Sequence, residues 1–401
     1  MDYTNLTRNQ EVDENGLVFD LGSLYAHLQK ISDNRKAKGK VYSLSLLLLL
    51  MLLAKLGGED KPSGMAEWVA HRIEPLYQMK ILAKKRAPSH MTYRRALQQV
   101  IRPEEMEQVL SEFHQSQLKT GQEIVLSMDG KTLRGTIPAG EVRGIHLLSI
   151  YVPEQGLVLV EAEVDRKENE IVVAPNILQQ VNLKGAIVIG DAMHAQRHAS
   201  AQIVEAGGDY LWSVKGNQAR TEWALEKLFA SEVHNLKQGA PLSSHCRRAI
   251  KVQKRHGRVE KRTILVSSEL NEYLDWPYVA QVFRLEREVW HQRYQGWRRQ
   301  VVYGLTSMTP EQAKPEKLLA LSRKYWGIEN GLHYRRDVTL HEDATRLTIE
   351  KSGHNMAILN NLVIGLCLQI GFANLAKARR LFAAKPDQAL ALITSAPGAF
   401  L

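Results

Sequence analysis

A chain of 401 residues is too long for one average domain and long enough to bury its cores without covalent staples. Its two cysteines, Cys246 and Cys367, lie far apart with no metal-type spacing, which excludes a disulfide framework and a cysteine zinc site. Lysine and arginine number 53 against 43 acidic residues, a net charge of +10, so a polyanionic partner is expected, either nucleic acid or an anionic surface.

The opening stretch MDYTNLTRNQEVDEN lacks the basic and then apolar pattern of a signal peptide, so a cytoplasmic location is expected. Residues 1–115 read as helical: LGSLYAHLQKI, SLSLLLLLMLL, GMAEWVAHRIEPLYQM, SHMTYRRALQQV and PEEMEQVLSEFHQSQL repeat apolar residues at three and four. The leucine run falls well short of the roughly 20 residues a bilayer span needs and reads as a buried helix. Ser89, just after Pro88, is placed to cap a helix carrying Tyr93, Arg94 and Arg95. With its predecessor, that helix is either a helix-turn-helix reader of DNA or an amphipathic helix with a solvated basic face. The cluster DNRKAKGK at 33–40 serves either phosphate contact or solubility.

Strands take over after residue 121. EIVLSMDG, GIHLLSIYV and LVLVEAEVD, the last two flanking the turn PEQG, form an antiparallel meander. EIVVAPNILQQV then reads as a helix, GAIVIGDA as a buried strand, HAQRHASAQIVEAG as a helix closed by glycine and DYLWSVKGN as another strand. That α/β order matches the ribonuclease H-like fold. From 231 to 304 the segments RRAIKVQKRHGRVEKRTILVSS, YVAQVFRLEREVW and RRQVVYGLTS read as strands. There Arg247, Arg248, Lys251, Lys254, Arg255, Arg258, Lys261 and Arg262 face only Glu260, a density of one sign expected of a nucleic-acid surface. PEKLLALSRKYWGIENGLHYRRDV reads as one long helix and NMAILNNLVIGLCLQIGFANLAKARRLF as a largely buried one.

Three acids stand out. Asp129 closes the apolar run of LSMDGKTLRG beside Lys131 and Arg134, and Asp191 ends AIVIGD in the same way. In an open sheet, functional groups gather at strand ends. Two close carboxylates ionise cheaply only beside a cation, and hard oxygen ligands suit Mg²⁺ or Mn²⁺. The third is Glu329, where offsets of three, four and seven align Tyr325, Trp326, Glu329, His333 and Arg336 on one helix face. Asp337, Glu342 and Asp343 are rivals for its role, and spacing does not exclude them.

SMDGKTLRG, IGDAMHAQ, GGDYLWSVKGNQ, HGRVEKR and YWGIENGLHYRRDVTLHEDATR resemble the motifs of DDE transposases from bacterial insertion sequences, in the group that includes the H-repeat-associated, Rhs-linked proteins. The match runs in order over residues 20–370. The resemblance implies that Asp129, Asp191 and Glu329 are the catalytic, metal-binding triad on a ribonuclease H-like core. It also implies two Mg²⁺ or Mn²⁺ ions and a β-rich insertion between the second and third acids. The expected division is a helical DNA-binding part at 1–115, core at 116–230, basic insertion at 231–304, core again at 305–370 and a helical tail at 371–401.

Expected DNA contacts are Lys131, Arg134, Lys215, Asn217, Gln218, Arg258, Arg335, Arg336, Arg94 and Arg95, with His194 either a contact or purely structural. The partners implied are double-stranded DNA, as element terminal inverted repeats and target, and a second copy in a dimer or larger synaptic assembly on the bacterial nucleoid. Two ions about 4 Å apart activate the attacking oxygen and steady the leaving one in an in-line displacement, which serves end cleavage and strand transfer. The alternatives are a metal-dependent nuclease that only hydrolyses DNA and a domesticated, non-catalytic DNA-binding descendant. Three positions depart from relatives: KENEI at 167–171 where Lys-Thr-Asn-Glu-Ile is usual, Tyr325 for a histidine and Asn360 for an arginine, the last expected to weaken DNA grip.

Overall fold

The computed structural model describes residues 7–118, 123–165, 167–255, 257–269, 271–291, 295–349 and 351–399. The opening MDYTNL and the side chain of Arg255, read above, lie outside the described residues. A hairpin of β1 (Gln10–Val12) and β2 (Val18–Asp20) leads into α1 (Leu24–Leu28), α2 (Leu44–Leu56), α3 (Pro62–Ala70), α4 (Ile73–Gln78), α5 (His90–Arg95) and α6 (Pro103–Ser116). The strands β3 (Ile124–Thr132), β4 (His146–Val152) and β5 (Leu157–Glu163) follow, then α7 (Glu170–Leu178), β6 (Ala186–Gly190), α8 (Arg197–Glu205), β7 (Asp209–Val214) and α9 (Ala219–Lys237). Next come β8 (Cys246–Arg255), β9 (Arg258–Ser267), β10 (Gln281–His291) and β11 (Gly296–Thr306). The chain ends in α10 (Pro315–Lys324), α11 (Trp326–Ile328), α12 (Ser352–Gln369), α13 (Leu375–Ala384) and α14 (Pro386–Thr394).

The leucine run forms α2, capped by the Ser43 hydroxyl, which accepts from the Leu46 amide, and every residue but Ser45 is buried. A helix apolar all round needs protein on all sides. It finds this in one continuous core shared by the first six helices and α12 to α14. No helix among the described residues is long and apolar enough to cross a membrane.

The remaining strands build one mixed sheet of nine, ordered β5-β4-β3-β6-β7-β11-β10-β9-β8. β3, β6 and β7 run parallel, and their neighbours on both sides are antiparallel. The four basic strands therefore extend the same sheet through the β11–β7 ladder. Alternation sorts the core strands onto two faces. Leu126, Met128, Val188 and Trp212 pack with α7, α8 and α9, whereas Val125, Ile187, Ile189 and Leu211 pack with α10.

The single long helix expected over 315–338 is corrected. After α10 and α11 the backbone takes two π turns, Glu329–His333 and Arg335–Thr339, in which Tyr334 N–H bonds to Glu329 O and Leu340 N–H to Arg335 O. Each such turn sets back the 3.6-residue period, so residues aligned by offsets of three, four and seven part company.

Candidate active site

The parallel ladder between β3 and β6 closes at Met128 opposite Gly190, so Asp129 follows it within β3 and Asp191 is the first residue after β6. Asp129 does not end its strand, as the apolar pattern suggested. β3 continues to Thr132 against β4 alone, with Asp129 opposite Ser149. Sharing a face with Val125, Asp129 looks toward α10 and α11, and the Tyr325 hydroxyl at that junction donates to its Oδ1 at 3.4 Å. His333 Nδ1 lies 3.6 Å from its Oδ2. Asp191 spends one oxygen on its own loop, accepting from the Met193 amide at 2.8 Å. Gly190 is obligatory beneath it, since a Cβ there would meet the Trp212 ring and the His194 side chain.

Glu329 is exposed at the first π turn. Its charge reaches Asp129. Burial first, then the repulsion of Glu170, Asp191 and Glu329 against the relief of His194, push the Asp129 carboxyl up to about 7. Asp129, Asp191 and Glu329 in turn raise the Tyr325 hydroxyl further after burial has done so. An acidic pocket of this kind suits a hard cation. The three triad oxygens do not close into one tight cage. Among the described residues, the trio with ligand atoms mutually within 4.8 Å is Glu107, Glu161 and His354.

A fourth acid of the pocket, Glu170, is one the sequence reading passed over. It opens α7 from beneath Gly130, where any Cβ would overlap its carboxylate. Its Oε1 lies 2.7 Å from His146 Nε2, and its Oε2 lies 3.0 Å from His194 Nε2, the latter without hydrogen-bond alignment. Burial opposes its ionisation, but the two imidazoles outweigh that and bring it down to about 2. The signal was present in KENEI, whose Asn169 caps α7 and fixes where Glu170 points.

The expected DNA contacts divide. Arg94, Arg95, Arg134, Lys215 and Arg258 are exposed. Ser89 opens α5, but its hydroxyl meets Thr92 Oγ1 instead of capping a backbone amide. Lys131 is buried and clamped by Asp337 at 2.6 and 2.7 Å, so both are spent on each other. His194 is buried against Glu170. Asn217 and Gln218 turn their amides to the carbonyls of Ala192 and Ala195, bracing the loop after Asp191. Arg335 donates to the carbonyls of Gly331 and Ala373.

Arg336 is corrected outright. It is fully buried, bonding Glu342 through Nε and Glu161 through Nη1, all at 2.9 Å, and it touches no surface where a phosphate arrives. The π turns rotate it off the Glu329 face. Glu342, a rival acid, is thereby occupied, as is Asp343, which accepts the Arg134 amide. Asn360 is likewise interior, donating to Glu342 at 2.8 Å, so its departure from arginine removes no surface charge.

Beside Glu329 opens a 330 Å³ cleft between the basic strands and α10, lined by Arg262, Arg287, Arg323, Trp326 and Asn330. Glu260 pairs with both Arg262 and Arg287. The outer ribbon presents Lys251, Lys254 and Arg258 to solvent.

In this nine-stranded mixed α/β sheet, Asp129 and Asp191 stand just past the end of the β3–β6 parallel ladder, where open sheets of this class place functional groups. Residues 120–366 match the family described as Transposase DDE domain, and residues 25–114 match the DDE_Tnp_1-associated family. The chain belongs to the DDE transposase family. It is 29% identical over 339 residues to the H repeat-associated protein YhhI of Escherichia coli K12, covering 82% of this chain and 85% of that one. The protein YbfL of the same organism matches at the same identity and coverage. YbfD, also H repeat-associated, is 30% identical over 264 residues, 65% of this chain and 99% of its own. A cryo-EM structure of the piggyBac transposase synaptic complex with hairpin DNA is similar with a TM-score of 0.40 and 10% identity, over 92% of this chain and 77% of that one.

Proposed function

We propose that Asp129, Asp191 and Glu329 hold a pair of divalent ions, Mg²⁺ or Mn²⁺, on a ribonuclease H-like core. On this reading the protein cuts phosphodiester bonds at the ends of its own insertion sequence and joins the freed 3′-hydroxyl to target DNA. The observation that carries it is the position of Asp129 and Asp191 one residue past the β3–β6 ladder, with the charge of Glu329 felt at Asp129. The donor set fits: every candidate ligand is a carboxylate oxygen, and the pocket is short of positive charge.

Bound ions would supply activation of the attacking oxygen and neutralisation of the leaving one. The protein's own residues do the rest. His333 is kept neutral, because burial first and the cations Arg336 and Lys131 next bring its imidazole down to about 3, so it does not compete for the carboxylates. Tyr325 orients Asp129 by its hydroxyl. Glu170, fixed by its two histidines, holds Gly130 and the loop of His194 at a set spacing on either side of the acids.

DNA is assigned to the exposed cations. Lys251, Lys254 and Arg258 are exposed on the ribbon and Arg323 lines the cleft, while the exposed Arg134 and Lys215 follow β3 and β7 in sequence. Arg94 and Arg95 on α5 are assigned to element-end recognition by the helical region at 1–115, and the divisions at 116–230, 231–304, 305–370 and 371–401 are retained as functional units. A synaptic dimer or larger assembly brings two ends together.

The test is a cleavage and strand-transfer assay with the DNA flanking the coding region as substrate. Asp191→Asn should abolish nicking while end binding persists. Nicking by that variant at the parental rate sinks the triad assignment, and cleavage with no strand transfer by the parent reduces the protein to a nuclease.

A further inference from the structure

A second cluster of metal-type side chains lies away from the triad. Glu107 on α6, Glu161 on β5 and His354 at the start of α12 bring one ligand atom each to within 4.8 Å of one another. His354 is only 4% exposed. Its Nε2 and Glu107 Oε1 face each other at 3.6 Å, and neither has a hydrogen-bond partner. At that separation no hydrogen bond forms. Two ligands held about 2.0–2.2 Å from a tetrahedral ion stand roughly 3.4 Å apart, close to what is found here.

The surroundings are those of a supported ligand set. Ser149 Oγ donates to Glu161 Oε2 at 2.5 Å and Asn361 Nδ2 to Glu161 Oε1 at 3.1 Å, fixing that carboxylate. His354 Nδ1 lies 3.7 Å from Glu163 Oε2, so a carboxylate stands behind the ring on the side away from Glu107. Three glutamates, Glu107, Glu161 and Glu163, thus surround His354, and Arg336, which pairs with Glu161, is shared with Glu342. Glu163 is half exposed, which leaves a way in for an ion.

We propose that Glu107, Glu161 and His354 bind a single structural transition-metal ion of the zinc class. Two carboxylate oxygens and one imidazole nitrogen suit Zn²⁺ and are not the all-oxygen set preferred by Mg²⁺. The site joins three segments remote in sequence. Through Glu161 it reaches Arg336 and the π turns that carry Glu329. Glu161 also lies in the register row Asp129, Ser149, Glu161, on the triad's face of the sheet but two strands away. Its role is to lock the helical region and the Glu329 segment onto β5.

The experiment uses the full-length chain carrying Asp191→Asn, which disables the triad and so separates this site from the catalytic one. Chelator-stripped protein is titrated with Zn²⁺ by calorimetry, and thermal unfolding is followed with and without the ion. One ion per chain and an upward shift in Tm are expected. Glu107→Gln, on the partly exposed α6, and His354→Gln should each weaken Zn²⁺ affinity at least roughly 10-fold. An anomalous zinc peak beside His354 Nε2 in crystals of the unaltered chain would support the site without any substitution. Absence of Zn²⁺ binding by the parent, or undiminished affinity in both variants, overturns the proposal and leaves the triad untouched.

Discussion

At Asp129 the electrostatics make a prediction with a definite sign. The folded protein holds its carboxyl at about 7 against an ordinary 3.8. Between those values the metal-free folded state keeps a proton that the unfolded chain gives up, so stability contributed here is present at low pH and is lost as pH rises toward 7. Asp129→Asn should therefore stabilise the metal-free protein at pH 8 by about 1–3 kcal/mol and abolish stabilisation by Mn²⁺, both read from denaturation curves. Arg336 makes the opposite case. Removing it strands Glu161 and Glu342 inside the protein, so Arg336→Ala should cost about 3–5 kcal/mol in urea unfolding. Loss of DNA binding at unchanged stability would instead restore it to the surface. The place of Asp191 after a short apolar strand was legible because such an end is a local pattern, whereas the continuation of β3 past Asp129 was not. The burial of Arg336 and the role of Glu170 were not, since both depend on partners some 175 and 24 residues away in sequence.

Among the elements, the sheet followed from pattern and the Glu329 helix did not. Alternating apolar runs name strands wherever they fall, and β3 to β7 came out in the expected order. The π turns carry no comparable mark: Gly331 weakens helical propensity within ENGLHYRRDVT without specifying an extra residue, and Leu332 and Arg336 are the residues the two turns bury. The basic strands are an element whose reading is testable by salt. With the strand backbone supplied by β8 and β9, Lys254→Ala and Arg258→Ala should leave folding intact and each reduce the slope of log affinity against log salt by about 0.9. An unchanged slope in the double variant would remove the ribbon from the DNA path.

Across the whole molecule, one sheet carries Asp129 and Asp191, the π-turn segment carries Glu329, and the helical core is built from the first six helices and α12 to α14. That last arrangement was not legible, since periodicity shows that a helix has an apolar face and not which helix will cover it. The measurement that bears most directly on the central claim is anomalous diffraction from crystals soaked in Mn²⁺. The account predicts manganese density bridging the carboxylates of Asp129 and Asp191 and reached by Glu329, lost in Asp191→Asn crystals. Manganese bound elsewhere, with none between those two strand positions at saturating Mn²⁺ and in the presence of DNA, would contradict it.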